Sequence, residues 1–363
     1  MNLRIHGGSD KSIRLDFSVN INPLGIPGGC IEAAYRALGD TLRYPDIQND
    51  ELIRELSERN GGNGVILGNG SCELIYAICH HIGHKYPGYG AVTAAPTFTE
   101  YGYAVEASGG RNNVFITDEE DDFALAPRMD ELAEWACSSH LTGSPVRIVF
   151  ICNPNNPTGE LIERDRMERM ACALDECGIL LVVDECFLRF CGRYDEITMT
   201  GMTGIHKNVL VLDAFTKFYA MPGLRLGYLT GADGSLLEGI RDAMQPWNVS
   251  APAYEAALQA LRDEVYCERT VGYIRGNRTC LEKGLLEAGL RIIGRPEADF
   301  VMAEGPAGLK DELNKRGMDI RDCSDMMKYH DTDRSYYRIA VSGREDNEEL
   351  IEEIKKIRDV KHG

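Results

Sequence analysis

Short apolar runs alternate with amphipathic stretches over the first two thirds of the chain. The intervening stretches, such as RDRMERMACALDECG (164–178), have the spacing of amphipathic helices. Strands that are buried on both faces give continuous apolar runs, so the alternation predicts an α/β fold with a mostly parallel sheet flanked by helices. The runs are rich in Val, Ile and Leu and end in turn or polar residues: AVTAAP (91–96), VRIVFICNP (146–154), ILLVVDECF (179–187), NVLVLDAF (208–215) and LRLGYLT (224–230).

The pattern changes after about residue 250. A long helical stretch, APAYEAALQALRDEVYCERTVGYIRGNRTCLEKGLLEAG, is followed by short strand-like segments and a final helix, NEELIEEIKKIRDV. This change predicts a smaller α+β domain. We divide the chain into an N-terminal arm with part of the small domain (1–40), a large domain (41–250), and an interdomain helix with the C-terminal small domain (251–363).

Charge and hydropathy exclude several classes of protein. The formal net charge is −18, whereas a nucleic-acid surface needs a basic stripe. No apolar run of 18 residues occurs, and the first residues, MNLRIHGGSDKS, lack the apolar core of a signal peptide. We therefore expect a cytoplasmic protein that binds neither nucleic acid nor membranes.

Cysteine and histidine spacing gives no metal site. The 12 cysteines are scattered without a CxxC pair, which predicts reduced and mostly buried thiols rather than a disulfide framework or a zinc site. His80 and His84, in CHHIGH, could share a helix face. No matching ligand pair follows elsewhere, so we expect no metal.

Polar residues follow three of the predicted strands. Asn156 lies in the turn after the strand that ends in CNP, Asp184 ends a fully apolar strand, and Lys217 comes just beyond a third. Functional sites in parallel α/β sheets gather at the carboxyl ends of strands. A Gly-rich turn, GNGSCELI (68–75), also precedes a helix whose free N–H groups could hold a phosphate.

This set of groups is the one that pyridoxal phosphate needs. The cofactor requires a lysine that forms an imine, a carboxylate that keeps the ring nitrogen protonated, and anchors for its phosphate. Taken singly, the groups could be a turn, a helix cap and a lysine with an apolar stem against the core. Their combination, in this order and with separations of 28 (184 − 156) and 33 (217 − 184) residues, indicates a cofactor site.

Several motifs resemble those of the fold-type-I pyridoxal-phosphate enzymes, in the aminotransferase group that contains histidinol-phosphate aminotransferase. The motifs are CNPNNPTG, DECF, TKFYAMPGLRLGY and RYPD, and the similarity spans nearly the whole chain. Within that group, the HGG opening, DFSVNINPLG and QPWNVSA resemble most the L-threonine-O-3-phosphate decarboxylases of cobalamin biosynthesis. The resemblance implies that the large domain binds pyridoxal phosphate.

The resemblance also implies roles for individual residues. Lys217 would form the imine and move protons, and Asp184 would pair with the ring nitrogen. Asn156 would donate a hydrogen bond to the ring hydroxyl oxygen. Tyr44 would reach the phosphate in the neighbouring subunit, which implies a homodimer with shared sites. The other cofactor-binding residues would be Phe98 against the ring, with Gly70, Ser71, Cys72, Thr216 and Arg225 at the phosphate.

One position departs from the wider transaminase pattern. Many relatives have a tyrosine three residues after the aspartate, where this chain has Phe187. The ring hydroxyl then loses one hydrogen-bond donor. The same phenylalanine is familiar in the threonine-phosphate decarboxylase branch, so it favours that branch.

The substrate is expected to be a small phosphorylated amino acid. By resemblance, Arg338 in YYRIA would bind its anionic group, with Arg321 as a second candidate and Arg344 as a weaker one. His6 and Asn20 belong to the N-terminal segment, which folds over the site in this family. Arginine, histidine and asparagine donors together could hold a phosphate and a carboxylate.

The same residues support two reactions, between which the sequence leaves the choice open. The bond broken at the substrate Cα is the one held perpendicular to the cofactor ring. Decarboxylation of L-threonine O-3-phosphate to (R)-1-aminopropan-2-yl phosphate follows if that bond leads to the carboxylate. Transamination of histidinol phosphate or a related amino acid follows if it leads to the hydrogen. A non-catalytic relative would be expected to lack Lys217 or Asp184, and both are present.

Overall fold

The computed structural model describes residues 7–8, 12–40, 42–45, 50–138 and 143–362. These residues contain two sheets, and the predicted α/β class with a mostly parallel sheet is confirmed. The strands are β1 (Leu15–Phe17), β2 (Gly64–Gly68), β3 (Gly90–Ala95), β4 (Arg111–Ile116), β5 (Val146–Cys152), β6 (Leu180–Asp184), β7 (Val209–Ala214), β8 (Gly227–Gly231), β9 (Arg291–Ile292), β10 (Phe300–Gly305), β11 (Met318–Asp322) and β12 (Ser335–Ala340).

Helices connect most of these strands. Their bounds are α1 (Gly28–Ala37), α2 (Asp50–Arg59), α3 (Ser71–Lys85), α4 (Glu100–Ala107), α5 (Met129–Cys137), α6 (Arg164–Glu176), α7 (Tyr194–Ile197), α8 (Gly234–Asp242), α9 (Ala251–Leu261), α10 (Glu264–Glu287), α11 (Leu309–Asn314) and α12 (Arg344–His362). Short 3₁₀ turns lie at Leu38–Asp40, Glu119–Asp121, Ala126–Arg128, Leu188–Cys191 and Thr200–Met202.

The larger sheet has seven strands in the order β2-β8-β7-β6-β5-β3-β4. Strands β4, β3, β5, β6 and β7 pair in parallel, whereas β8 is antiparallel to both of its neighbours, β7 and β2. Strand β8 reverses because the chain turns back directly through residues 215–226 instead of crossing over through a helix. This turn carries Lys217.

Successive side chains of the central strands enter two different cores. In β6, Val182 packs with helices α3, α4 and α8, whereas Leu181 and Val183 pack with α5 and α6. Strand β7 alternates in the same way, with Leu210 on the first face and Val211 on the second. Burial on both faces explains the continuous apolar runs in the sequence.

The smaller sheet has five strands in the order β1-β11-β12-β10-β9. Strand β1, from the N-terminal part, pairs in parallel with β11, and the other pairs are antiparallel. The long helical stretch after residue 250 divides into α9 and α10, because Asp263 accepts a hydrogen bond from the backbone N–H of Tyr266 and starts a new helix. The domain boundaries proposed at residues 40 and 250 stay a prediction.

The prediction of reduced cysteines is wrong for one pair. Cys137, at the end of α5, and Cys177, directly after α6, form a disulfide with a Cα–Cα distance of 5.8 Å. The packing of α5 beside α6 brings together two residues 40 positions apart, which their spacing does not reveal. Ten cysteines are free, and six of these are buried.

Neither a membrane-spanning helix nor a cluster of metal ligands occurs in the part of the chain that the structure describes. No helix there is both long enough and apolar enough to cross a membrane. In the same part, no cluster of three or more His, Cys, Asp or Glu side chains could hold a metal ion. His80 and His84 are exposed on α3.

Candidate active site

The ends of three parallel strands bring the predicted catalytic groups together. The strand register pairs Cys152 of β5 with Asp184 of β6, and Asp184 with Leu212 of β7. Asn156 lies four residues beyond β5 and Lys217 three residues beyond β7, so both lie at the same edge of the sheet as Asp184. All three line one cavity with a volume of about 190 Å³.

Residues associated with both sheets contribute to the wall of this cavity. The residues predicted from the sequence that line it are Ser71, Cys72, Phe98, Asn156, Asp184, Phe187, Thr216, Lys217, Arg225, Arg321 and Arg338. The residues that sequence reasoning missed are Gly7, Ser18, Val19, Thr99, Tyr101, Cys152, Cys186, Pro222 and Met326. Three of the missed residues, at 7, 18 and 19, show that the N-terminal segment reaches the site.

Lys217 is held by its backbone at the start of the turn between β7 and β8. Its carbonyl oxygen accepts hydrogen bonds from the backbone N–H groups of Asn22 and Ala220, both at 3.1 Å. Burial, followed by the positive charge of Arg338, lowers the pKa of the Lys217 amine. A lowered pKa raises the fraction of neutral amine, which is the form that attacks a carbonyl carbon.

The carboxylate of Asp184 is fixed by donors to both of its oxygens. The hydroxyl of Tyr101 donates to Oδ2 at 2.7 Å, and the backbone N–H of Cys186 donates to Oδ1 at 3.1 Å. Burial nevertheless raises the pKa of Asp184, because the charged form is desolvated. A cationic ring nitrogen beside this carboxylate would compensate the cost of ionisation.

A tight turn at the start of α3 has N–H groups that could hold an anion. Gly70 has a φ of 79°, and a β-carbon there would lie 2.6 Å from an Arg225 guanidinium nitrogen. A β-carbon on Gly227 would lie 2.6 Å from the backbone nitrogen of Ser71, so β8 approaches the turn as closely as a glycine allows. The first N–H groups of a helix lack partners within the helix and bind phosphate readily.

Two arginines of the small sheet form the opposite wall. Arg321 of β11 and Arg338 of β12 are cross-strand partners, and both are buried. Arg338 donates to Oδ1 of Asn156 at 2.6 Å and to the carbonyl oxygen of Ser18 at 2.8 Å, and its Nε has no hydrogen-bond partner among the residues that the structure describes. Burial, followed by the charge of Arg321, lowers the pKa of Arg338 to about 10.

Arg321, unlike Arg338, has an anionic partner. It donates to both carboxylate oxygens of Asp325, at 2.8 and 2.7 Å, and to the carbonyl oxygen of Asp322 at 2.6 Å.

Because Asn156 accepts from Arg338 through Oδ1, the amide nitrogen of Asn156 remains to donate elsewhere. The predicted role of Asn156 as a donor to a ring hydroxyl needs this orientation.

Aromatic residues form the rest of the wall. Phe98 makes an edge-to-face contact with Tyr101 at 5.5 Å, measured between ring centroids. Phe187 makes a similar contact with Phe300 at 5.1 Å, and Lys217 Nζ lies 5.9 Å from the centre of the Phe187 ring. Phe98 precedes α4 by two residues and Tyr101 lies in its first turn, so the short sequence distance from Phe98 was a signal that could have identified the tyrosine.

Among the described residues, four other predicted ones do not line the cavity within one chain: Gly70, Asn20, Tyr44 and Arg344. Tyr44 is 78% exposed and stacks on Trp247 at 4.6 Å, and its predicted role toward a neighbouring subunit stays a prediction. Asn20 is buried, and its side-chain amide atoms have no hydrogen-bond partner in the described part of the chain. Arg344 is exposed at the start of α12 and pairs with Glu348. His6 lies outside the described residues.

The donor set fits pyridoxal phosphate. Lys217 offers an amine for the aldehyde, and Asp184 offers a fixed carboxylate for the ring nitrogen. The turn at Gly70–Cys72 offers N–H groups for the phosphate, beside the guanidinium of Arg225. Arg338 Nε, a buried donor without a partner, remains for a substrate anion.

Comparison with known proteins identifies one family, and the similar proteins are named for two different activities. Residues 12–354 match the family described as "Aminotransferase class I and II". The threonine-phosphate decarboxylase of Salmonella typhimurium is 30% identical, covering 94% of this chain and 91% of its own. Histidinol-phosphate aminotransferase 2 of Archaeoglobus fulgidus is 29% identical, covering 96% and 94%.

Solved structures show the same fold. The histidinol-phosphate aminotransferase of Clostridium acetobutylicum superposes with a TM-score of 0.81 and 26% identity, covering 95% of this chain and 99% of its own. The histidinol-phosphate aminotransferase of Sinorhizobium meliloti, solved in complex with pyridoxal-5'-phosphate, has a TM-score of 0.79 and 22% identity, covering 95% and 92%.

Proposed function

Because this chain belongs to the aminotransferase class I and II family, whose enzymes depend on pyridoxal phosphate, we propose that it decarboxylates L-threonine O-3-phosphate. The product would be (R)-1-aminopropan-2-yl phosphate, for cobalamin biosynthesis. The observation that carries the proposal is the pair of buried arginines, Arg321 and Arg338, side by side on the cavity wall. Two adjacent guanidinium groups suit a substrate with two anionic groups.

The arrangement of the two arginines suggests which anion each one binds. Arg338 contacts Asn156, which lies at the same sheet edge as Lys217 and Asp184. We assign the carboxylate, which is bonded to the reacting Cα, to Arg338. Arg321 lies on the neighbouring strand, one strand further from the contact between Arg338 and Asn156. We therefore assign the phosphate on the substrate side chain to Arg321.

The residues around the cavity then have separate tasks in decarboxylation. Bound pyridoxal phosphate supplies an electron sink for the pair released when a bond at Cα breaks. Arg338 and Arg321 hold the substrate at two points and thereby decide which bond is broken. Lys217 in its ammonium form delivers from Nζ the proton that replaces the lost carboxylate at Cα, and its lowered pKa makes that ammonium a stronger acid.

An aminotransferase acting on histidinol phosphate or a related amino acid is the second candidate. The relative from Archaeoglobus fulgidus, at 29% identity over 96% of this chain, supports it. In that reaction Lys217 Nζ would remove the proton from Cα rather than deliver one. A keto acid would also be required as amino acceptor, whereas decarboxylation needs none.

We further propose that the enzyme is a cytoplasmic homodimer with shared active sites. A group of large apolar side chains is exposed around α1 and the following segment, and Tyr44 and Trp247 stack within it. Contiguous exposed apolar surface marks interaction sites in soluble proteins. The members of this group are Ile31, Tyr35, Leu38, Leu42, Tyr44 and Trp247.

One assay separates the two reactions. The purified holoenzyme is incubated with O-phospho-L-threonine, without and then with 2-oxoglutarate, while CO₂ and glutamate are measured separately. Lys217→Ala protein is the control for turnover at this site. Release of CO₂ without the keto acid would support the decarboxylase. Glutamate formed only with the keto acid, and no CO₂, would refute the decarboxylase and make histidinol phosphate the next substrate to test.

A further inference from the structure

We propose that Asp325 makes the site specific for substrates that carry a phosphate. Its carboxylate is an internal anion that pairs with Arg321 until the phosphate of the substrate displaces it. The inference rests on the proposed function in so far as the substrate has two anionic groups. It concerns a residue that does not take part in the chemistry at Cα. Asp325 follows β11 by three residues and is 19% exposed on its side chain.

The geometry indicates that Asp325 competes with a ligand anion for Arg321 and does more than hold the arginine side chain in place. Both carboxylate oxygens of Asp325 bind the same guanidinium nitrogen of Arg321, at 2.8 and 2.7 Å. Arg321 lines the cavity, and Met326, the residue next to Asp325, lines it as well. The carboxylate therefore binds the cation that we assign to the substrate phosphate.

The two wall arginines differ because of this ion pair. Among the described residues, Arg338 binds two neutral oxygen acceptors, its Nε has no partner, and no carboxylate forms a direct ion pair with it. In contrast, both carboxylate oxygens of Asp325 bind Arg321. A substrate carboxylate can therefore bind Arg338 directly, whereas a second anion must displace Asp325 from Arg321.

Asp325 also lines a second, smaller cavity, whose wall includes a cation. This smaller cavity of about 30 Å³ has Asp325, Met326 and Lys328 in its wall, and it shares Phe98 and Thr99 with the larger cavity. A doubly charged phosphate attracts Arg321 more strongly than a carboxylate does. A ligand that carries only a carboxylate leaves the Arg321–Asp325 pair intact.

Binding of simple anions to the holoenzyme tests the inference. Inorganic phosphate and acetate are titrated calorimetrically, at a pH where phosphate is a dianion, into wild type, Asp325→Asn, Asp325→Glu and Asp322→Asn. The last variant is the matched control. It removes one negative charge from the same segment, and Arg321 contacts only the backbone carbonyl of Asp322, whose side chain caps Ser324.

Competition by Asp325 predicts a gain of affinity in one variant. Asp325→Asn should bind phosphate about tenfold more tightly, because a unit charge a few ångströms away is removed from a partly buried site. Its affinity for acetate should change less than about threefold, as expected if acetate binds at Arg338. Asp325→Glu, which keeps the charge, and Asp322→Asn should both stay within about threefold of wild type for phosphate.

The contrary result is equally specific. If Asp325 only braces Arg321, Asp325→Asn will bind phosphate as wild type does or more weakly, and the inference is overturned. Melting temperatures of all four proteins show whether weaker phosphate binding comes from misfolding. If Asp325→Asn is misfolded, the inference requires Asp325→Glu to bind phosphate with wild-type affinity. Phosphate binding needs no turnover, so this result stands whether or not CO₂ is released from O-phospho-L-threonine.

Discussion

Replacing Tyr101 by phenylalanine should weaken the binding of pyridoxal phosphate without disturbing the fold. The Tyr101 ring is fully buried and stacks on Phe150 at 5.1 Å, and a phenylalanine ring keeps this contact. The hydroxyl donates a hydrogen bond to Oδ2 of Asp184 at 2.7 Å. The substitution therefore removes one of the donors that stabilise the ionised carboxylate.

The expected size follows from the chemistry of that bond. A hydrogen bond to a charged group contributes about 1.5–3 kcal/mol, and each 1.4 kcal/mol corresponds to a factor of ten in affinity. Burial already raises the pKa of Asp184, so the variant should favour the protonated carboxyl still more. A protonated Asp184 cannot compensate a cationic ring nitrogen. We expect cofactor affinity about 10- to 100-fold below wild type.

The assay is a titration of apo-protein with pyridoxal phosphate, followed by the absorption of the bound cofactor. Tyr89→Phe is the matched control, because Tyr89 is buried in the same core and its hydroxyl hydrogen-bonds Ser108, away from the cavity. Tyr89→Phe should retain wild-type cofactor affinity. Wild-type affinity in Tyr101→Phe, or an equal loss in both variants, would refute the assigned role.

Three further predictions follow from the site and its surroundings. Gly227→Ala should reduce cofactor affinity, because its β-carbon would meet the phosphate turn, whereas Gly223→Ala, which has open space, should titrate as wild type. Burial raises the pKa of Asp299 to about 7, so its contribution to stability is lost as pH rises from about 4 to 7. The melting temperature of Asp299→Asn should therefore rise progressively above that of wild type between about pH 4 and 7 and stay above it by a constant margin at higher pH; a difference that does not change between pH 4 and 7 would contradict this. Sedimentation should give twice the mass of the chain, and Tyr44→Ala with Trp247→Ala should shift it toward the monomer.

The positions of the catalytic groups along the chain could be predicted from the sequence. Asp184 and Lys217 each follow an apolar run, and a parallel sheet brings the ends of such runs to one edge. Strands β3, β5, β6 and β7 could also be predicted from the sequence, because strands that are buried on both faces give continuous apolar runs. These features depend on short-range patterns, which a single sequence contains.

The partners of these groups were decided only by the tertiary structure. Tyr101 meets Asp184 across 83 residues, and Arg338 meets Asn156 across 182. A tyrosine in an apolar helix has the same sequence pattern whether its hydroxyl faces a carboxylate or a backbone oxygen. The identity of the partner depends on how helix α4 and the small sheet pack against the ends of the strands.

The sequence by itself determined the fold class, the cofactor and the order of Asn156, Asp184 and Lys217. The tertiary structure decided that Asp325 pairs with one of two neighbouring arginines, whereas the other, Arg338, binds neutral oxygens of Asn156 and Ser18. The reason is physical: periodicity and turn residues fix local conformation and burial. The electrostatics of a site depend instead on distances between side chains from different elements, which only packing sets.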